Sequence, residues 1–259
     1  MHTPKNHKSR VDPHEFHQAR RGYSPAIIDM VTWYANGPYF SGLPGRALDV
    51  GCGTGIGTEQ LDEAGWASEG VDADDRMIAF SRKTHPLGKL RYQVASARRL
   101  PHKDESFQLI ASFGAFHWFA NREVLEEFKR VLVPNGTVCV VHKRTSKTDS
   151  FDTVWRAILA HYINETPRGH QKNGYDPLKL FHQAGLVGVK TVQLLNSEEI
   201  YTIEDAVLRV QTTVHWSGVL PHRQMEATRA LRMGFASIAE PDGIVRRLIT
   251  ASMVCGHKS

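Results

Sequence analysis

Short apolar runs alternate with amphipathic segments from Arg46 to His142. Apolar runs bounded by turn residues predict buried strands, and five are present: 46–50, 67–71, 90–95, 107–113 and 137–142. Between them, apolar positions recur at helical spacing in three segments: 57–64, 75–84 and 122–132. Strands that alternate with helices in this order predict a parallel sheet covered by helices on both faces.

The flanking regions are less regular. Upstream, apolar positions at helical spacing predict one helix over 16–34, with Ser24 and Pro25 as start signals, followed by a Gly- and Pro-rich loop at 37–45. Downstream, the pattern predicts helices and strands in this order: helices 151–162 and 177–184, strand 187–201, helices 203–219 and 222–237, strand 243–256. Because the helical residues 203–240 fall between two strands, they predict a lid at the edge of the core.

Composition excludes several classes of protein. The hydrophobic fraction of 41% argues against wholesale disorder. No apolar run is long enough to span a membrane, and residues 1–10 lack the apolar stretch of a secretory signal. Cys52, Cys139 and Cys255 are odd in number and far apart, which argues against a disulfide framework and for a reducing, cytoplasmic setting. Since no Cys or His spacing suits a metal, we expect no metal site.

The net charge of +5 is unevenly distributed. Residues 1–46 carry +3, residues 47–141 carry −2, residues 142–190 carry +4 and residues 191–259 carry 0. A nucleic-acid footprint clusters its basic residues on one face or helix, and no dense basic run is present here. The charge therefore predicts no nucleic-acid partner. Residues 1–15 are polar and read as a mobile basic tail before a single domain over 16–259.

The segment from Ala47 to Gly57 is the most informative part of the chain. An apolar strand ends at Val50, and Gly51, Gly53 and Gly55 follow before a helix. Glycine permits a positive φ and lets a ligand lie against bare backbone. This spacing alone leaves a nucleotide cofactor open. The preceding Asp49 would repel a pyrophosphate and would suit a cationic ligand group.

A second carboxylate ends the next predicted strand. Asp72 stands 21 residues after Gly51, where a carboxylate can accept hydrogen bonds from both ribose hydroxyls. With these motifs the chain resembles the class I S-adenosylmethionine-dependent methyltransferases. The matching segments, in order, are 48–55, 70–74 with Met77, 94–97 with 100–101, 104–110 and 130–136. The resemblance spans about residues 44–143. It implies a Rossmann-like, doubly wound α/β fold with a mostly parallel seven-stranded sheet and a helical lid insertion near the C-terminus.

The resemblance also implies a set of cofactor contacts. Asp49 and the backbone of Gly51, Cys52 and Gly53 would hold the methionine part of S-adenosylmethionine, and Asp72 would hold its ribose. The residues implied around adenine and the rest of the cofactor pocket are Ala73, Met77, Ser96, Ala97 and Phe113. Two positions depart from the family pattern, because Ser96 and Gln108 stand where many members have Asp.

Two further segments resemble a small-molecule subgroup, the trans-aconitate methyltransferase-like enzymes. Residues 19–24 resemble its Arg-Pro-x-Tyr-Pro element, and residues 115–119 resemble its His-Trp-Phe segment. By this resemblance Tyr23 and Arg20 close over the cofactor carboxylate. His117 and Trp118 would then sit where the methyl donor meets the acceptor.

Methyl transfer from a sulfonium is an in-line displacement that needs positioning first, and a general base only if the acceptor loses a proton early. We expect His117 to be that base, with His215 as the second candidate. Trp118, Tyr162 and Trp216 are predicted to line the acceptor pocket, and Trp155 is a further candidate for its lining. Lys143, Arg144 and Arg168 would suit an anionic acceptor.

The segment after the fourth strand lacks the Asn/Asp-Pro-Pro-Tyr sequence that grips an exocyclic amine of a nucleic-acid base. The expected function is therefore S-adenosylmethionine-dependent methylation of a small molecule, with oxygen favoured and S-adenosylhomocysteine as the product. Two alternatives stay open from sequence. One is a cofactor-binding protein of this fold that does not methylate, and the other is a nicotinamide-dependent oxidoreductase.

Overall fold

A single mixed sheet organises the protein. The computed structural model describes residues 11–36, 45–85, 90–146, 149–163 and 175–259. In these ranges the strands are β1 (Arg46–Val50), β2 (Ala67–Asp72), β3 (Arg91–Val94), β4 (Phe107–Phe113), β5 (Leu132–Thr145), β6 (Val187–Thr202) and β7 (Ile244–His257). Their order across the sheet is β3-β2-β1-β4-β5-β7-β6. Strands β1 to β5 run parallel, and β7 lies antiparallel between β5 and β6. The predicted α/β fold with a mostly parallel seven-stranded sheet is confirmed.

Helices cover both faces of this sheet. They are α1 (Pro13–Ala19), α2 (Pro25–Asn36), α3 (Ile56–Glu63), α4 (Asp75–Thr84), α5 (Arg122–Val131), α6 (Ser150–Leu159), α7 (Pro177–Gln183), α8 (Ile203–Gln211) and α9 (Gln224–Ala236). Helices α5 and α7 bury Phe128 and Phe181 against one face. Helices α2 and α3 bury Val31 and Leu61 against the other. Within the described residues, no helix is long and apolar enough to cross a membrane.

The region before β1 forms two helices, so the prediction of one helix over 16–34 is wrong. Asp12 caps α1 by accepting hydrogen bonds from the amides of His14 and Glu15. The chain leaves the helix at Arg20, which is extended, and Pro25 begins α2. The tail predicted for residues 1–15 is also wrong at its end, because α1 starts at Pro13; residues 1–10 lie outside the described residues.

The chain between β6 and β7 packs with α6 into a separate hydrophobic cluster. Its centre is formed by Phe151 and Trp155 of α6 with Phe235 of α9. The single helix predicted over 203–219 is wrong, because α8 ends at Gln211 and two short 3₁₀ turns follow. The hydroxyls of Thr212 and Thr213 donate to backbone carbonyls of the last turn of α8, and such bonds compete with helix continuation.

Candidate cofactor and acceptor site

The glycine turn after β1 leaves part of its backbone open. Gly51, Gly53 and Gly55 all have positive φ, at 78°, 55° and 91°. A Cβ on Gly51 would lie 2.5 Å from the Cβ of Ala115, so this glycine is required by packing. Among the described residues, a Cβ on Gly53 would meet only Phe16, at 3.9 Å. The space in front of Gly53 is therefore free for a ligand to lie against the backbone.

Asp49 presents an unsatisfied carboxylate oxygen at this turn. The residue is 1% exposed, and its Oδ2 accepts a hydrogen bond of 2.9 Å from the Thr58 hydroxyl. Its Oδ1 is buried and has no hydrogen-bond partner among the described residues. Burial raises the pKa of Asp49 to about 7. An ammonium group beside Oδ1 would satisfy this atom and favour its ionised form, so Asp49 fits the amino group of S-adenosylmethionine.

Asp72 lies at the carboxyl end of β2 beside the same turn. Its Oδ2 accepts from the Gly53 amide at 2.9 Å, and its Oδ1 accepts from the Asp74 amide at 2.8 Å. Burial raises the pKa of this carboxyl group as well. Each carboxylate oxygen keeps a further lone pair. The two oxygens can therefore accept from a ribose diol while the backbone holds the side chain in place.

The residues predicted around adenine differ in exposure. Met77 and Ala97 are buried, whereas Ala73 and Ser96 are exposed. The Ser96 hydroxyl accepts from the Arg98 amide at 3.3 Å. The Cys52 side chain packs with Ile78 and Tyr92 behind the turn, and burial raises the pKa of its thiol. Only the backbone of Cys52 can thus contact a ligand in the turn.

Tyr23 lies against the end of β4. Its ring is 4.8 Å from the ring of Phe113, and a Cβ on Gly114 would lie 3.1 Å from the Tyr23 hydroxyl. Gln60 fixes its backbone through two hydrogen bonds. Burial and the neighbouring Asp49 raise the pKa of the Tyr23 phenol. Tyr23 and Phe113 therefore lie near Asp49, where the amino group of the cofactor is predicted to bind.

Arg20 points toward the end of α8. Its guanidinium donates to the hydroxyl oxygen of Thr212 at 2.7 Å and to the Thr212 carbonyl at 3.2 Å. It also lies over the ring of Phe16, 4.3 Å from its centroid. The predicted contact of Arg20 with the cofactor carboxylate stays a prediction.

The predicted base His117 belongs to a group of three rings at the carboxyl ends of β4 and β5. The His117 ring centroid lies 5.8 Å from that of His142 and 6.3 Å from that of Tyr175. A hydrogen bond joins His142 Nε2 to the Tyr175 hydroxyl. Burial, aided by His117, lowers the pKa of His142 to about 4, so this imidazole is neutral at pH 7. Trp118 lies beside His117 at 5.4 Å and is 48% exposed.

Sequence reasoning missed His142 and Tyr175. The available signal was position, because ligands in open α/β sheets bind outside the carboxyl ends of the strands. His142 follows the last residues of β5 that pair with β4. Tyr175 stands just before α7, in a region with no motif to draw attention to it.

His215, the second predicted base, lies apart from this group. It lines a cavity of about 490 Å³ formed by α6, α8 and the ends of β5 and β7. Its ring meets Trp155 edge-on at 5.1 Å. Burial lowers the pKa of His215.

Of the aromatic residues predicted to line the acceptor pocket, Trp155 lines this cavity. Trp118, Tyr162 and Trp216 are not among its described lining residues. Tyr162 donates to Glu226 at 3.4 Å, and Trp216 packs against the cluster of α6, α8 and α9. Trp118 stays near His117 instead. Of the predicted anion-binding residues, Lys143 and Arg144 do line the cavity, and Arg168 lies outside the described residues.

The sheet is Rossmann-like, and it places one carboxylate on β1 and another at the end of β2 beside a glycine turn. This arrangement is typical of enzymes that bind a nucleoside cofactor. Comparison with known proteins identifies the class. Residues 48–140 match a family model described as a methyltransferase domain. An uncharacterized methyltransferase of Schizosaccharomyces pombe is 30% identical over 199 residues, covering 76% of this chain and 74% of that protein. The chain belongs to the class I S-adenosylmethionine-dependent methyltransferases.

Two other similarities extend this comparison. A phthiotriol/phenolphthiotriol dimycocerosates methyltransferase of Mycobacterium ulcerans is 30% identical over 142 residues, covering 50% of this chain and 52% of that protein. The solved structure of a candidate type II methyltransferase from Anaeromyxobacter dehalogenans has a TM-score of 0.62 at 21% identity. It covers 92% of this chain and 98% of its own. The structural similarity supports the shared fold.

Proposed function

We propose that this chain transfers a methyl group from S-adenosylmethionine to an oxygen of a small-molecule acceptor. The observation that carries the proposal is the cavity of about 490 Å³ formed by α6, α8, β5 and β7. Its volume lies within the range of small-molecule sites. Lys143 lines it, and the Lys143 ammonium lies 4.4 Å from the centre of the Tyr23 ring. Because Tyr23 packs on Phe113 at the cofactor pocket, the cavity and the pocket are neighbours.

The chain's own residues would bind and orient the cofactor, whose sulfonium supplies the electrophilic methyl group. Asp49 would hold the ammonium through Oδ1, and Asp72 would hold the ribose. The open face of Gly53 would let the ligand lie against backbone. These contacts fix the donor, so the remaining task is to position an acceptor atom in line with the methyl group.

The group of His117, His142 and Tyr175 supports oxygen as the acceptor atom. A hydroxyl must lose its proton as it is methylated, so a neutral imidazole near the reacting atoms is useful. His142 is neutral because it is buried, and its hydrogen bond to Tyr175 fixes its ring. With His142 neutral, His117 would accept the proton without repulsion between two imidazolium ions.

Two further points favour a small molecule. The mycobacterial relative is named for phthiotriol and phenolphthiotriol dimycocerosates rather than for a protein or a nucleic acid. The segment after β4 also lacks the sequence that grips an exocyclic amine of a base. The name of the relative supports a small-molecule acceptor by similarity, and the missing sequence argues against a nucleic-acid base.

The test supplies methyl-labelled S-adenosylmethionine together with pairs of small molecules. The two members of a pair differ only in that one carries a hydroxyl or carboxyl group and the other carries an amine. Mass spectrometry of the products should show transfer to oxygen. His117→Gln should lower the turnover rate by roughly 10²- to 10⁴-fold, the usual contribution of a general base, and leave cofactor affinity unchanged. His222→Gln, at an exposed histidine, is the matched control. Transfer to amines alone, or full activity of His117→Gln, contradicts the proposal.

A further inference from the structure

Cationic side chains dominate the cavity lined by His215. Five of its lining residues are basic, and they are Lys143, Arg144, Arg156, Arg209 and Arg247. Among the described residues that line it, only Asp152 is acidic. These basic residues come from β5, α6, α8 and β7, so the fold, and not one basic run in the sequence, brings them together.

Two carboxylates neutralise only part of this charge. Glu199 on β6 forms ion pairs with Lys143 at 2.8 Å and with Arg247 at 3.0 Å. Asp152 pairs with Arg156 and with Arg247, both at 3.4 Å. Three cations therefore share two acidic partners.

Arg209 and Arg144 have no carboxylate within 4.0 Å in the described part of the chain. Arg209 is partly buried on α8, close to Tyr201. Burial and the nearby Arg247 lower its pKa. Arg20 is held close to it by Thr212, and burial together with Arg209 lowers the pKa of Arg20 as well. Placing like charges out of water is unfavourable unless an anion joins them.

Two aromatic side chains also line the cavity. Phe151 and Trp155 are at most 5% exposed and form part of its lining. Arg156 lies over Trp155 at 4.5 Å, and His215 meets the same ring edge-on. A cavity lined by clustered guanidinium groups and aromatic side chains fits an anionic group carried on an apolar body.

We propose that this cavity binds a carboxylate or phosphate group of the methyl acceptor, with the Arg209 guanidinium as its principal ligand and Arg144 at its mouth. Only the identification of this ligand as the methyl acceptor rests on the proposed function. Lys143 lies between this cavity and Tyr23 at the cofactor pocket. The anionic group would therefore anchor the acceptor while another part of the molecule reaches the methyl group.

The experiment titrates the full chain, with and without S-adenosylhomocysteine, with inorganic phosphate and with glutarate. Sodium chloride at matched ionic strength is the reference, and calorimetry and thermal melting are the readouts. At least one of the two anions should bind and raise the Tm beyond chloride, and whichever does so identifies the head group. Arg209→Gln should weaken that binding at least tenfold, whereas Arg229→Gln, at an exposed arginine of α9, should bind like the wild type.

Arg144→Gln provides a second variant at an exposed position and should weaken binding about threefold, as expected for a charged contact at the rim. If Arg209→Gln does not fold, this variant decides the outcome. No response of the wild type beyond chloride, or equal binding by the variants, overturns the proposal. Anion binding without any methyl transfer would instead defeat the proposed function and leave the anion site standing.

Discussion

Asp49 sets the electrostatics of the cofactor pocket. A buried carboxylate with one unpaired oxygen is unfavourable, and the protein keeps it where it can meet a cation. Burial raises its pKa to about 7, so the free protein holds much of this group protonated at neutral pH. An ammonium group bound beside Oδ1 would form an ion pair with Asp49 and so offset the unfavourable burial of this carboxylate. The same residue thus links cofactor affinity to pH.

Asp49→Asn should weaken S-adenosylhomocysteine binding roughly 10- to 100-fold, because a hydrogen bond to a charged group contributes about 1.5–3 kcal/mol. The Tm of the free protein should not fall, since the Asn carbonyl can still accept from Thr58. Calorimetric titration and thermal melting measure the two effects. Asp29→Asn, at an exposed aspartate of α2, is the matched control. Unchanged affinity in Asp49→Asn would remove Asp49 from the site.

Affinity for S-adenosylhomocysteine should rise between pH 5 and pH 7. Below the raised pKa of about 7, Asp49 must release a proton before it can pair with the ligand's ammonium group. The association constant should therefore increase by up to about tenfold per pH unit in this range and level off above it. Titrations in buffers of different ionisation enthalpy would also detect the released proton. A flat profile, or the same slope in Asp49→Asn, would refute this coupling.

Among individual site residues, the sequence predicted those that lie in the glycine turn or at the ends of the strands beside it. Asp49 and the glycine turn are neighbours in sequence, and Asp72 ends the adjacent strand. Arg209 and His142 carried no such signal. Arg209 stands in an ordinary amphipathic helix, and only the packing of α8 beside β5 and β7 turns it into a cavity residue.

Two groups of helices contribute to the two predicted binding sites, α1 on one side and α6, α8 and α9 on the other. Helix α1 contacts the glycine turn through His17, whose Nδ1 lies 3.1 Å from the Thr54 hydroxyl oxygen. Helices α6 and α9 are joined by aromatic packing, with the rings of Phe151 and Phe235 4.7 Å apart. Because Phe151 also lines the acceptor cavity, the stability of this packing bears on acceptor binding.

Phe235→Ala should lower the free energy of unfolding by about 3–5 kcal/mol, the usual cost of removing a fully buried phenylalanine. Urea unfolding measures it. Met233→Ala on the same helix should change stability by less than about 0.5 kcal/mol, because Met233 is 69% exposed. A small effect of Phe235→Ala would show that α9 is not packed as described.

The elements that sequence predicted well are those with local signals. Strands β1, β2 and β4 are apolar runs bounded by turn residues, and their positions agree with the structure. Ser24 and Pro25 correctly marked the start of α2, but the break before them was missed because apolar residues keep helical spacing from α1 into α2. Strand β5 begins earlier than predicted, at Leu132, because that residue pairs with Phe107 of β4. Such pairing depends on the folded sheet and not on local sequence.

The net charge of the chain differs between the region of the cofactor turn and the region that follows it. Residues 47–141, which supply the cofactor turn, carry a net −2, whereas residues 142–190 carry a net +4. The cofactor carries a sulfonium and an ammonium group, and by the proposed function Asp49 would meet the ammonium while Asp72 would hold the ribose. The cavity proposed for the acceptor is instead lined by several arginines. By the proposed function, the two substrates would therefore meet side chains of opposite charge.

The most direct test of the account incubates the protein with methyl-labelled S-adenosylmethionine and a cell extract, then separates products by size and by charge. Asp49→Asn serves as the inactive control and Asp29→Asn as the active one. The account predicts that the label appears in a small, anionic molecule, bound through oxygen, and that Asp49→Asn forms little of it. Label found only in protein or nucleic acid, or only in neutral or cationic small molecules, would contradict it.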